Sequence, residues 1–131
     1  MFQSKFETIR DEYQEAVIGL EEVLKKPKDE FMRDSAIKRF ELTFDLAWKT
    51  IKAFLEDKGL SCTSPVSCFK EAYHQGLIEY DDVWIKELVE TRNKTVHTYD
   101  EKLAEEVYAA LPNILEVFRK LLDSLRNQSK K

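Results

Sequence analysis

Glycine and proline are scarce, with three of each in 131 residues. A many-stranded sheet of this length needs far more turn residues, so the scarcity favours long helices. Cysteine occurs only as Cys62 and Cys68, too few for a disulfide framework, and in a reducing cytosol two thiols are expected to stay free. A zinc site recruiting Cys62, Cys68 and His74 finds no support in their spacing. Long apolar runs are missing too. The opening stretch MFQSKFETIRDEYQEA carries acids throughout, reads as neither signal peptide nor membrane span, and points to the cytoplasm. Positive charge is not in excess: 21 bases against 25 acids leave a net charge of −4. The chain as a whole repels a phosphate backbone, and any nucleic acid must meet a local basic spot.

What is present is 43% hydrophobic and 35% charged sequence, the mixture of a globular protein rich in amphipathic elements. The length fits one domain, residues 1–131. Phe2, Phe6, Ile9, Tyr13, Ala16, Val17, Leu20, Val23 and Leu24 recur at helical spacing and predict a first helix ending before Pro27. A second runs from an Asp29 cap to Gly59, with Ala36, Phe40, Phe44, Ala47, Ile51 and Phe54 on one stripe. Ile37, Leu42, Leu46, Trp48 and Leu55 widen that stripe, so this helix is either central in a bundle or partly covered by another chain. Its narrow polar strip offers Asp45 with Lys49 and Lys52 with Glu56 as surface ion pairs.

Ser64 and Pro65 open a short helix that stops at Gly76, with His74 complementing its C-terminal dipole. Asp81 or Asp82 caps the next, whose stripe is Trp84, Ile85, Leu88, Arg92, Val96 and Tyr99. Arginine there occupies an apolar register position. From Asp100 to about Asn127 the period runs through Leu103, Val107, Leu111, Ile114, Phe118 and Leu122, with a kink expected at Pro112 and a frayed tail in residues 127–131. Four long helices and one short one predict an all-α fold, an antiparallel up-and-down four-helix bundle with one extra short helix.

The segment ETRNKTVHTYDEK, residues 90–102, concentrates the chemistry. His97 supplies an imidazole, the side-chain type suited to exchanging a proton with a ribose 2′-OH or a leaving oxygen. Arg92 offers a donor fork for phosphate, Asn93 can orient either group, and Tyr99 adds a hydroxyl. Such a set can cleave RNA with neither metal nor cofactor. On an ideal helix Arg92 and His97 point roughly 140° apart, so they converge only if the helix loosens, the guanidinium reaches round, or a second copy supplies one of them. The plain alternative is that Lys94 and His97 complement a helix C-terminus while Asp100 caps the next helix.

RFELTFDLAWKTIKAFLEDKG (residues 39–59), GLIEYDDVW (76–84) and ETRNKTVHTYDEKLAEEVY (90–108) resemble the nucleotidyltransferase substrate-binding proteins of the HEPN superfamily. The resemblance implies a four-helix bundle that forms a homodimer and works with a minimal nucleotidyltransferase partner. HepT-like members are ribonuclease toxins. Carried over, Arg92 stabilises the scissile phosphate, His97 is general acid or base, Asn93 supports them, and Tyr99 accepts AMP from the partner as antitoxin. The other implied reading is a non-catalytic subunit that presents nucleotide or substrate to the transferase.

Overall fold

The computed structural model describes residues 2–128, and every regular element in them is helical. Helix α1 spans Lys5–Leu24, α2 Glu30–Asp57, α3 Pro65–His74, α4 Asp82–Lys94 and α5 Glu101–Gln128, with a single 3-10 turn, Thr95–His97, between α4 and α5. The starts of α1 to α4 are marked by Ser4, Asp29, Ser64 and Asp81, each accepting a backbone N–H three residues on. Each such cap contributes about 1 kcal/mol. Gly59 and Gly76, at φ 76° and 77°, end α2 and α3 in the left-handed conformation a side chain resists. The N–H groups of Leu60 and Leu77 then reach back to the carbonyls of Leu55 and Ala72.

Cross-helix contacts fix the topology. Phe6 meets Phe54, Thr50 donates to the Ile9 carbonyl, and Thr43 donates to the Ala16 carbonyl, so α1 and α2 run antiparallel. Each hydroxyl shares its single proton between that α1 carbonyl, the longer branch, and a carbonyl of α2 itself, Leu46 for Thr50 and Arg39 for Thr43, at 2.6 Å. Arg33 meets Glu101 and Phe40 stacks on Phe118, which sets α2 and α5 parallel across the bundle. Lys94 meets Glu106 while Trp84 and Asn113 line one cleft further along, so α4 and α5 are antiparallel. Helices α1, α2, α4 and α5 therefore form the expected up-and-down bundle, with α3 the extra short helix between α2 and α4. Tyr13 is wholly buried at its centre, its hydroxyl donating to the Phe118 carbonyl at 2.7 Å.

Several expectations need correction. Helix α4 has 13 residues against 28 each in α2 and α5, because the chain tightens into the 3-10 turn after Lys94. Phe2 lies outside α1 and is fully exposed. Pro112 lies inside α5 as expected, at an exposed position. Asn127 and Gln128 belong to α5, and the rest of the tail lies outside the described residues.

Cys62 and Cys68 are not free thiols but a disulfide. The capped turn at Ser64 folds the segment back on α3 and brings their Cα atoms to 5.0 Å, a local closeness that an argument from redox compartment overlooks. His74 turns instead to Glu71, at 3.4 Å. No helix among the described residues is long and apolar enough to cross a membrane.

Candidate functional site

The apolar register of α4 carries Ile85 and Leu88 into the core and then, one turn later, delivers Arg92. A guanidinium cannot follow them inward without a counter-charge, and α2 provides two. Arg92 Nη1 lies 3.6 Å from Glu41 Oε2, and Nη2 lies 3.6 Å from Asp45 Oδ2. Nη1 also donates to Thr95 Oγ1 at 2.9 Å, and the guanidinium carbon stands 6.0 Å from the centre of the Phe44 ring. The arginine side chain keeps 23% exposure. Its Nε is buried without a hydrogen-bond partner among the described residues.

Thr95 joins this cluster to the turn that follows. It is buried, and its hydroxyl donates to the Arg92 carbonyl at 2.7 Å while accepting from Nη1. The bond holds the last turn of α4 as the helix gives way. Beyond it the predicted stripe fails: Val96 is 66% exposed and Tyr99 84% exposed, because the 3-10 turn rotates them off the core face. Asp100 then caps α5 as expected, its carboxylate accepting from the N–H groups of Lys102 and Leu103.

The sequence-predicted residues thus fall into two groups. His97 and Tyr99 are exposed and paired, the tyrosine hydroxyl 3.4 Å from His97 Nδ1 and the rings edge to face. Asn93 is exposed on the last turn of α4. Arg92 belongs to the acid-lined cluster, and among the described residues no hydrogen bond links it to His97. Loosening of the helix does occur between them, yet it does not by itself join the two side chains.

Sequence reasoning missed Glu41, Asp45 and Thr95. It assigned Asp45 to Lys49 and Glu56 to Lys52, whereas Asp45 faces Arg92 and Glu56 faces Lys5 on α1. The signal was available: an arginine in a core register demands an acid on the neighbouring helix, and Glu41 and Asp45 share one face four residues apart.

The family model described as nucleotidyltransferase substrate binding protein like matches residues 9–127, and the chain belongs to this family. Among curated proteins it is similar to "Probable ribonuclease HepT" of Haemophilus influenzae, 31% identical over 100 residues, covering 72% of this chain and 67% of that protein. Among solved structures it is similar to a Thermus thermophilus protein, 33% identical with a TM-score of 0.80, covering 87% of this chain and 98% of that one. A second structure, from Haemophilus influenzae, is described as the fold of a substrate binding domain of a nucleotidyltransferase; it is 24% identical with a TM-score of 0.68, covers 92% and 96% of the two chains, and shares the fold.

Proposed function

We propose that the chain is a metal-independent endoribonuclease toxin of a two-component nucleotidyltransferase system, silenced when its partner transfers AMP to Tyr99. The observation that carries this reading is the exposed His97–Tyr99 pair at the α4–α5 break, on the same short segment as Arg92. His97 presents its ring to solvent, where an RNA ribose can approach, and exchanges the proton of the 2′-OH or of the leaving oxygen. Arg92 stabilises charge on the phosphate. Asn93 orients the bound group. Tyr99, with its hydroxyl beside the histidine, is accessible to a partner enzyme. AMP attached there places a bulky anion in the space RNA must enter.

Arg92 and His97 act together through a homodimer, in which a second copy sets its His97 near the first copy's Arg92. Support comes from the exposed apolar side chains flanking the cluster: Leu42 beside Glu41, and Val96 beside Thr95. A cytoplasmic location belongs to the same reading, since RNA and the partner's nucleotide are found there, and in that reducing compartment the Cys62–Cys68 link is open to reduction. Expression without the partner tests it: wild type is expected to arrest growth and His97→Ala to permit it. Equal toxicity from the variant counts against the proposal.

The second reading is a non-catalytic subunit that holds a nucleotide or substrate for the partner transferase. It is favoured by one feature, the two carboxylates on Arg92, which take up the guanidinium charge that a cleavage transition state would need. Protein that leaves RNA intact and binds nucleotide only with its partner supports this alternative.

A further inference from the structure

The hold of α2 on Arg92 is electrostatically close and geometrically poor. At 3.6 Å both carboxylates lie near enough to lower the energy of the guanidinium but beyond ordinary hydrogen-bond length, and Nε has no partner among the described residues. One short bond, to Thr95, satisfies a single donor. Arg92 is thus neutralised without being saturated: its charge is taken up twice over, while its fork of donors is only partly matched by acceptors. A phosphate that is free to settle with two oxygens on the fork can receive the parallel N–H bonds that these two tethered carboxylates, each 3.6 Å from a different nitrogen, do not, once the repulsion of the acids is overcome.

From this arrangement we infer that Glu41 and Asp45 are positioning residues that form an acidic latch on Arg92, holding the guanidinium in place in the free protein and setting the threshold a phosphate ligand must exceed to engage it. The inference rests on reading Arg92 as a phosphate ligand, as in the ribonuclease proposed above. Selectivity follows from charge. A single small anion meets a net negative cluster and is turned away, whereas an oligonucleotide that gains contacts elsewhere along the surface can open the latch. The Phe44 ring, centred 6.0 Å from the guanidinium carbon, leaves the charge within cation–π range when the carboxylates let go.

The test uses the full chain and a fluorescein-labelled single-stranded RNA with 2′-O-methyl riboses, which cannot be cut through the 2′ position, with binding followed by anisotropy at fixed salt. Glu41→Gln and Asp45→Asn keep shape and remove charge at side chains 21% and 42% exposed, and melting curves report whether each variant stays folded. The latch predicts that the double variant binds about tenfold tighter than wild type, the effect of releasing two partly exposed ion pairs. It also predicts that the gain disappears when Arg92→Ala is added. Unchanged or weaker binding in the folded double variant overturns the latch. So does a gain that survives Arg92→Ala, which reports only the lower overall negative charge. If Arg92→Ala alone leaves wild-type binding unaltered, the reading of Arg92 as a phosphate ligand fails, and the latch with it.

Discussion

The hydroxyl of Tyr99 stands 3.4 Å from Nδ1 of His97, in a pair that faces solvent where α4 has ended and α5 has not begun. The acceptor proposed for modification and the proposed proton-transfer group therefore share one small patch. Events at one are felt at the other. Proton transfer at His97 requires only the imidazole, so Tyr99→Phe is expected to retain RNA cleavage within a fewfold of wild type while no longer being adenylylated by the partner. Intact mass of the protein after incubation with partner and ATP checks the second half. A mass shift in Tyr99→Phe equal to that of wild type removes Tyr99 from the account.

The Cys62–Cys68 disulfide closes a loop with a sequence separation of 6. Loop-closure entropy for so short a ring corresponds to about 2 kcal/mol of stability. The double variant Cys62→Ser with Cys68→Ser is expected to melt about 6 °C lower in a calorimetric scan. Wild type in a thiol reductant should follow it. No difference between oxidised and reduced wild type would show that the link leaves the unfolded chain no more constrained than before.

Arg33 is buried and clamps the first turn of α5, donating to Glu101 at 2.6 Å and 3.1 Å and to Glu105 at 3.3 Å. Hydrogen bonds from Arg33 hold Glu101 below the usual carboxylate range, and those from Lys28 and then Arg33 do the same for Glu105. Carboxyl groups depressed in the folded state contribute stability that is fully present above their ordinary value of 4.5 and lost as the pH falls below it. The melting temperature is expected to stay level near neutrality and drop below about pH 4.5, with a shallower acid limb in Arg33→Met, whose neutral-pH stability is also lower. Identical limbs in the two proteins would show that other carboxylates govern the acid transition.

Much of this fold was legible in the residues. Ala36, Phe40, Phe44, Ala47, Ile51 and Phe54 are buried as their spacing requires, and Asp29, Ser64 and Asp100 cap the helices they precede. Legibility ends where tertiary contact competes with local pattern. Val96 and Tyr99 continue a helical period on paper, yet the Thr95 hydroxyl takes the Arg92 carbonyl and the backbone tightens, so the period breaks. Asp45 has a helical neighbour of opposite charge, but a half-buried guanidinium from α4 is a stronger claim on it than an exposed lysine. The four residues singled out in the motif were found by their chemistry. Their division into an exposed His97–Tyr99 pair, an exposed Asn93 and an acid-held Arg92 depends on α2, which no reading of residues 90–102 alone reveals.

Cleavage of a labelled single-stranded RNA by the purified chain, in the presence of a chelator, is the measurement closest to the central claim. Wild type is expected to cut, and His97→Ala and Arg92→Ala each to be slower by about a hundredfold or more, the scale of losing a proton-transfer group or a charge stabiliser. RNA left intact by the wild type, or cut at the same rate by folded His97→Ala, contradicts it.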